Sequence, residues 1–128
     1  MNKNKNAMIS KKDYKRMIGE HLPAIFKFYI LMVNKNGDGV WKGEYKNRMN
    51  EHIAVLRDCE LAKDSKTKLI ERHCEENGFA TVDGIMSALS DTFAANNIVG
   101  ENAVALSQSL INNMPTIVGK IDTSVVKQ

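Results

Sequence analysis

The stretch NKNGDGVWKGEY, Asn34 to Tyr45, decides how this chain is read. Two glycines and an aspartate within six residues break the pattern between an apolar run and an amphipathic one. The polar side chains also fall at alternating positions. A helix–helix connector uses Asn, Gly and Asp for their backbone tolerance alone. A cation loop uses the same residues as oxygen donors.

On the N-terminal side stands PAIFKFYILMV (Pro23 to Val33), apolar at almost every position and interrupted by Lys27. It is far shorter than the ~20 residues needed to span a bilayer, so it reads as a helix buried nearly all round. Ser10, three residues before Asp13, is placed to cap a helix reaching about Gly19. Proline suits a helix's first turn but also kinks an existing one. The segments on either side of Pro23 are therefore either two helices or one helix kinked there.

On the C-terminal side Tyr45, Met49, Ile53, Leu56 and Cys59 recur at steps of three and four, which predicts a helix with one apolar face. A polar join, AKDSKT, leads to a helix with Leu69, Ile70, His73 and Cys74 on one side, stopped by ENGFA. Thr81 is placed to cap the next helix, whose apolar face is Val82, Ile85, Met86, Leu89 and Phe93. After NNIVGEN a last helix carries Ala103, Leu106, Leu110, Met114 and Ile117, with Pro115 expected to bend or end it. No useful run of period-two alternation is present. The expected fold is all-α, a compact bundle of five or six helices. Residues 1–9 form a leader, 10–121 one helical domain and 122–128 a tail.

Composition agrees. The chain has 128 residues, 43% of them hydrophobic and 26% charged, enough for one self-sufficient core. Cys59 and Cys74 are too few for a disulfide scaffold and read as reduced thiols. No apolar stretch follows the basic start MNKNKN, so no secretory signal is read and a cytoplasmic location is expected. Net charge is +3 overall, but residues 1–72 carry +7 and residues 73–128 carry −4. The basic residues are interleaved with acids and lack a nucleic-acid motif, so they read as solvated surface.

Taken from Asn34, the polar stretch resembles the EF-hand family. NKNGDG is close to that family's opening, and the pair EY to its closing acid and aromatic. The resemblance implies calcium ligands from Asn34, Asn36, Asp38, the Val40 carbonyl and Glu44, with Gly39 at the sixth position. Three features depart from the pattern. Asn34 stands where Asp is usual, Lys42 holds the ninth position, and Glu44 arrives one residue early. Calcium affinity is therefore expected on the order of 10⁻⁴–10⁻³ M or weaker, or lost altogether. HCEENGFATVDGI resembles a second, ion-free loop, so the bundle reads as a degenerate EF-hand pair plus a C-terminal helix. The same DG and Glu44 also resemble the inter-helix turn of tellurite-resistance B-type domains.

Other chemistry is thin. Glu20 and His21 read as an acid–base pair or as polar residues at a helix end. His52, Cys59, His73 and Cys74 could form a zinc cluster if their helices paired, but no metal-site spacing accompanies them, and they read as packing residues. No nucleophile elbow or phosphate loop is present, so no enzyme is expected. Two functions remain. One is an EF-hand-like binding module acting on a protein partner. The other is an ion-independent inhibitor or adaptor of the kind mobile elements encode. A homodimer through the apolar C-terminal helix is a further expectation.

Overall fold

The computed structural model describes residues 8–34, 39–61 and 65–123. Among these, six helices account for all regular structure: α1 (Lys11–Val33), α2 (Gly39–Arg57), α3 (Lys66–Glu76), α4 (Val82–Ala88), α5 (Ser90–Ala95) and α6 (Gly100–Ile121). The all-α reading holds. No helix among the described residues is long and apolar enough to cross a membrane.

Helix α1 is the spine. Ser10 caps it as expected, its Oγ accepting from the Asp13 N–H at 3.1 Å. It then runs unbroken through Pro23, resolving the two-helix alternative. A proline inside a helix forfeits one backbone hydrogen bond and costs ~3 kcal/mol. That cost is offset because Leu22, Ile25, Phe26 and Ile30 around it are all fully buried, each contributing roughly 1.5–3 kcal/mol.

Helix α2 folds back antiparallel along α1. Tyr14 donates its hydroxyl to the Leu56 carbonyl at 2.9 Å near one end of the pair, and Phe28 stacks on Tyr45 near the other. Lys66, only 4% exposed, donates to the Arg57 carbonyl at the C-terminus of α2. Burial lowers its pKa. Ile9, assigned from sequence to the leader, is tied in: its N–H donates to the Glu60 carbonyl at 2.7 Å and it forms an isolated bridge with Leu61.

Helix α6 closes the core, antiparallel to both α1 and α3. Near its start Asn102 meets Asn34. Farther along, Ser109 Oγ lies 2.7 Å from the Tyr29 hydroxyl, to which Asn113 Nδ2 donates at 2.7 Å. At its end Asp122 accepts from the Thr67 hydroxyl at 2.6 Å. Of the two outcomes expected at Pro115, a bend or an end, the helix does not end there. Leu110 before it and Ile117, Val118 and Ile121 after it are buried, so tertiary packing holds the helix through the defect.

The segment expected as one helix over 82–93 is two. Thr81 caps α4 as expected, accepting from the Gly84 N–H at 3.0 Å. The chain leaves helical geometry at Leu89 (φ −110°, ψ 25°) and α5 resumes at Ser90. Ser90 and Asp91 bond readily to their own backbone, which weakens a helix at that point. The break still lets Ile85, Leu89 and Phe93 all reach the core.

Gly78 and Gly84 approach each other closely where α3 turns into α4. Gly78 has φ +88°, and a Cβ on Gly84 would stand 2.0 Å from the Gly78 carbonyl oxygen. Gly84→Ala should therefore cost about 2 kcal/mol or more in urea unfolding. Gly43→Ala, on the exposed face of α2 with nothing within 4 Å, should gain about 0.5–1 kcal/mol. Equal effects at the two sites would refute this packing.

Candidate functional site

The expected calcium ligands end up with different neighbours. Asn36 and Asp38 lie outside the described residues. Asn34 ends α1 and is buried, at 6% exposure, with its Oδ1 accepting from Asn102 Nδ2 at 3.4 Å. Val40 belongs to the first turn of α2, which begins at Gly39. A carbonyl in a helix accepts from the N–H four residues on. Glu44 is already in the second turn, and its Oε2 accepts from Arg48 Nε at 2.9 Å, an exposed i,i+4 pair. Tyr45 stacks between Trp41 and Phe28.

The residues weighed as a zinc cluster are dispersed. Cys59 donates to the Val55 carbonyl and stands 3.8 Å from Met17 Sδ. The His73 ring stacks on Phe79. Cys74 is buried, and that burial pushes its thiol up to about 12, far from a reactive thiolate. Among the described residues no group of three or more His, Cys, Asp or Glu is placed to hold a metal.

His52 instead meets His21 across the α1–α2 seam, Nδ1 to Nδ1 at 3.0 Å. Glu20 Oε1 lies 4.0 Å from the Nε2 side of His21. The Phe28 ring stacks on His52, and Lys27 Nζ sits 4.8 Å from the Phe28 centroid. Burial lowers the His52 pKa, and His21 and Lys27 lower it further against the opposing pull of Glu51. The signal for this pairing was available in the sequence. The midpoint of 21 and 52 falls inside the α1–α2 connector, as does that of 28 and 45. An antiparallel hairpin therefore places each pair face to face.

The second feature is a groove of about 590 Å³ between α3 and α6. Cys74, Phe79 and Val118 form its buried floor, with Ile111, Met114 and Pro115 along one wall. Glu71 and Glu75, both exposed and one helical turn apart on α3, are the only charged residues lining it among the described residues. Because proline has no N–H, the Ile111 carbonyl loses its usual donor four residues on, beside this groove. The sequence signal was weak: no motif singles out Glu71 or Glu75, and Pro115 reads only as a bend or an end of the last helix.

Comparison with known proteins finds no family model, no curated protein and no solved structure that matches this chain.

His52 and His73 both have pKa values lowered by burial. Each binds a proton less readily folded than unfolded, so stability is full above the unfolded value of ~6.5 and is lost as pH falls from there toward the folded values. The melting temperature should therefore drop between pH 7.5 and pH 5.5, and His52→Gln should make that drop shallower. A melting temperature that rises on acidification would contradict the environment described for His52.

Proposed function

We propose that this chain is a non-enzymatic helical binding module that acts through protein–protein contact, using the groove between α3 and α6. One observation carries the reading: an apolar trough whose only charged lining, among the described residues, is the acidic pair Glu71 and Glu75. A trough of this kind suits an apolar segment bearing a Lys or Arg. Burying the apolar side chains supplies the driving force, and the carboxylates select the basic residue. A basic side chain also offers donors to the Ile111 carbonyl.

This module works without calcium. Asn34 is engaged by Asn102 and Glu44 by Arg48. An ion at the Asn34–Tyr45 stretch would have to take both donors from these partners, with Lys42 opposing its charge. On this reading the EF-hand-like stretch is a connector.

Peptide display against the immobilised full chain should enrich apolar segments carrying Lys or Arg. The Glu71→Lys, Glu75→Lys double variant should bind those peptides at least tenfold more weakly, while Lys46→Glu on α2 should leave them unchanged. Enrichment without basic residues, or indifference to the charge reversal, would sink the groove. Self-association abolished by the same reversal would make a second copy of the chain the occupant instead.

Trp41, 55% exposed, provides an antenna for terbium luminescence. Only non-saturating emission is expected up to millimolar ion. Saturable emission displaced by calcium and lost in Glu44→Gln would reinstate a calcium-responsive loop.

A further inference from the structure

We propose that His21 and His52 form a two-nitrogen chelate for a late divalent transition-metal ion, Ni²⁺, Cu²⁺ or Zn²⁺, which clamps α1 to α2. The two imidazoles come from different helices, 31 residues apart in the chain, and direct Nδ1 atoms at each other across 3.0 Å. With metal–nitrogen bonds of 2.0–2.1 Å, that separation corresponds to a nitrogen–metal–nitrogen angle of about 94°. This is the cis angle of square-planar or octahedral coordination. Tetrahedral coordination would need the nitrogens a few tenths of an ångström farther apart. The geometry therefore favours Ni²⁺ and Cu²⁺ over Zn²⁺.

The surroundings fit an imidazole site. Chelation requires both rings as the Nε2–H tautomer, with the Nδ1 lone pairs facing inward. The Glu20 carboxylate on the Nε2 side of His21 favours that tautomer, as carboxylates behind metal-binding histidines do. The neutral imidazole is the ligating form of each ring. His21 and His52 are only partly buried, so water or an exogenous ligand can fill the remaining positions.

The charges nearby set the selectivity. Glu20 and Glu51 attract a cation and Lys27 repels it, so the carboxylate charge near the pair is partly offset. Binding then rests on nitrogen donor strength, which hard oxygen-seeking Ca²⁺ and Mg²⁺ do not exploit. Without metal, the pair is held by a hydrogen bond in which one Nδ1 carries the proton and the other accepts. When the ion binds, the bridging proton leaves the seam and is carried at Nε2 of the same ring, while the ion sits to one side of the line between the two nitrogens, as an angle of about 94° requires.

The chain contains three histidines, His21, His52 and His73, and only the first two face each other, which provides an internal control. Calorimetric titration of the tag-free full chain at pH 7.5 should show one Ni²⁺ per chain, with Zn²⁺ weaker and Ca²⁺ silent. Affinity should fall at least tenfold in His21→Gln and in His52→Gln, and stay unchanged in His73→Gln. In the wild-type chain, ¹⁵N NMR of the imidazoles should show Ni²⁺ perturbing the His21 and His52 Nδ1 signals before those of His73. That readout does not depend on any variant folding. The proposal fails if no ion binds, if binding survives both His21→Gln and His52→Gln, or if His73 responds first.

Discussion

A helical segment that is apolar on nearly every side persists in water only when other helices cover it, and the Pro23–Val33 half of α1 imposes that condition on the whole molecule. Tyr14, Ile18, Leu22, Ile25, Phe26 and Ile30 run the length of α1 at 1% exposure or less. Helix α2 covers one flank and α6 another, while α3, α4 and α5 add buried residues to the same cluster. Roughly 1.5–3 kcal/mol for each fully buried large side chain outweighs the defects the core contains. Two helices keep prolines in their interiors for that reason.

The connections between helices divide the surface into two unlike faces. Along the α1–α2 seam, rings from Trp41, Tyr45, Phe28, His52 and His21 follow one another at centroid distances of 5.3–6.2 Å. Lys27 and Lys42 belong to the same helices. Elsewhere on the surface, α3 and α6 leave an apolar trough edged by carboxylates. Nitrogen and aromatic chemistry lies on one side and acid-rimmed apolar chemistry on the other.

The polar hydrogen bonds that cross the core do more to fix register than to add stability. A neutral hydrogen bond contributes only about 0.5–1.5 kcal/mol net, whereas leaving a buried partner unpaired costs more. Tyr14 to Leu56, Tyr29 to Ser109 and Asn113, and Thr67 to Asp122 each join helices far apart in sequence. A slip of one helix along another would leave these groups buried without partners. The hydrophobic cluster alone would tolerate such slips more readily.

Much of the architecture follows from local chemistry and is therefore readable along the chain. Ser10 and Thr81 cap helices because a hydroxyl one residue before a helix can accept an otherwise unpaired N–H. The breaks near Asn77–Ala80 and Asn96–Val99 follow from glycine and asparagine, with Gly78, Asn97 and Gly100 at positive φ. Tertiary structure decided the rest. Pro23 and Pro115 sit inside helices because burial on both sides outweighs a lost hydrogen bond, and Leu89 interrupts a helix while staying in the core. Asn34 and Glu44 show the same division at the site. Spacing aligned them as ligands of one ion, and the fold gives each a side-chain partner that spacing does not show, Asn102 for Asn34 and Arg48 for Glu44. His21 and His52 lie at equal distances from the α1–α2 connector along the chain, and the antiparallel packing of the two helices turns that symmetry into contact. Contacts within one turn are encoded by adjacent residues, whereas contacts between helices depend on which faces pack and in which register.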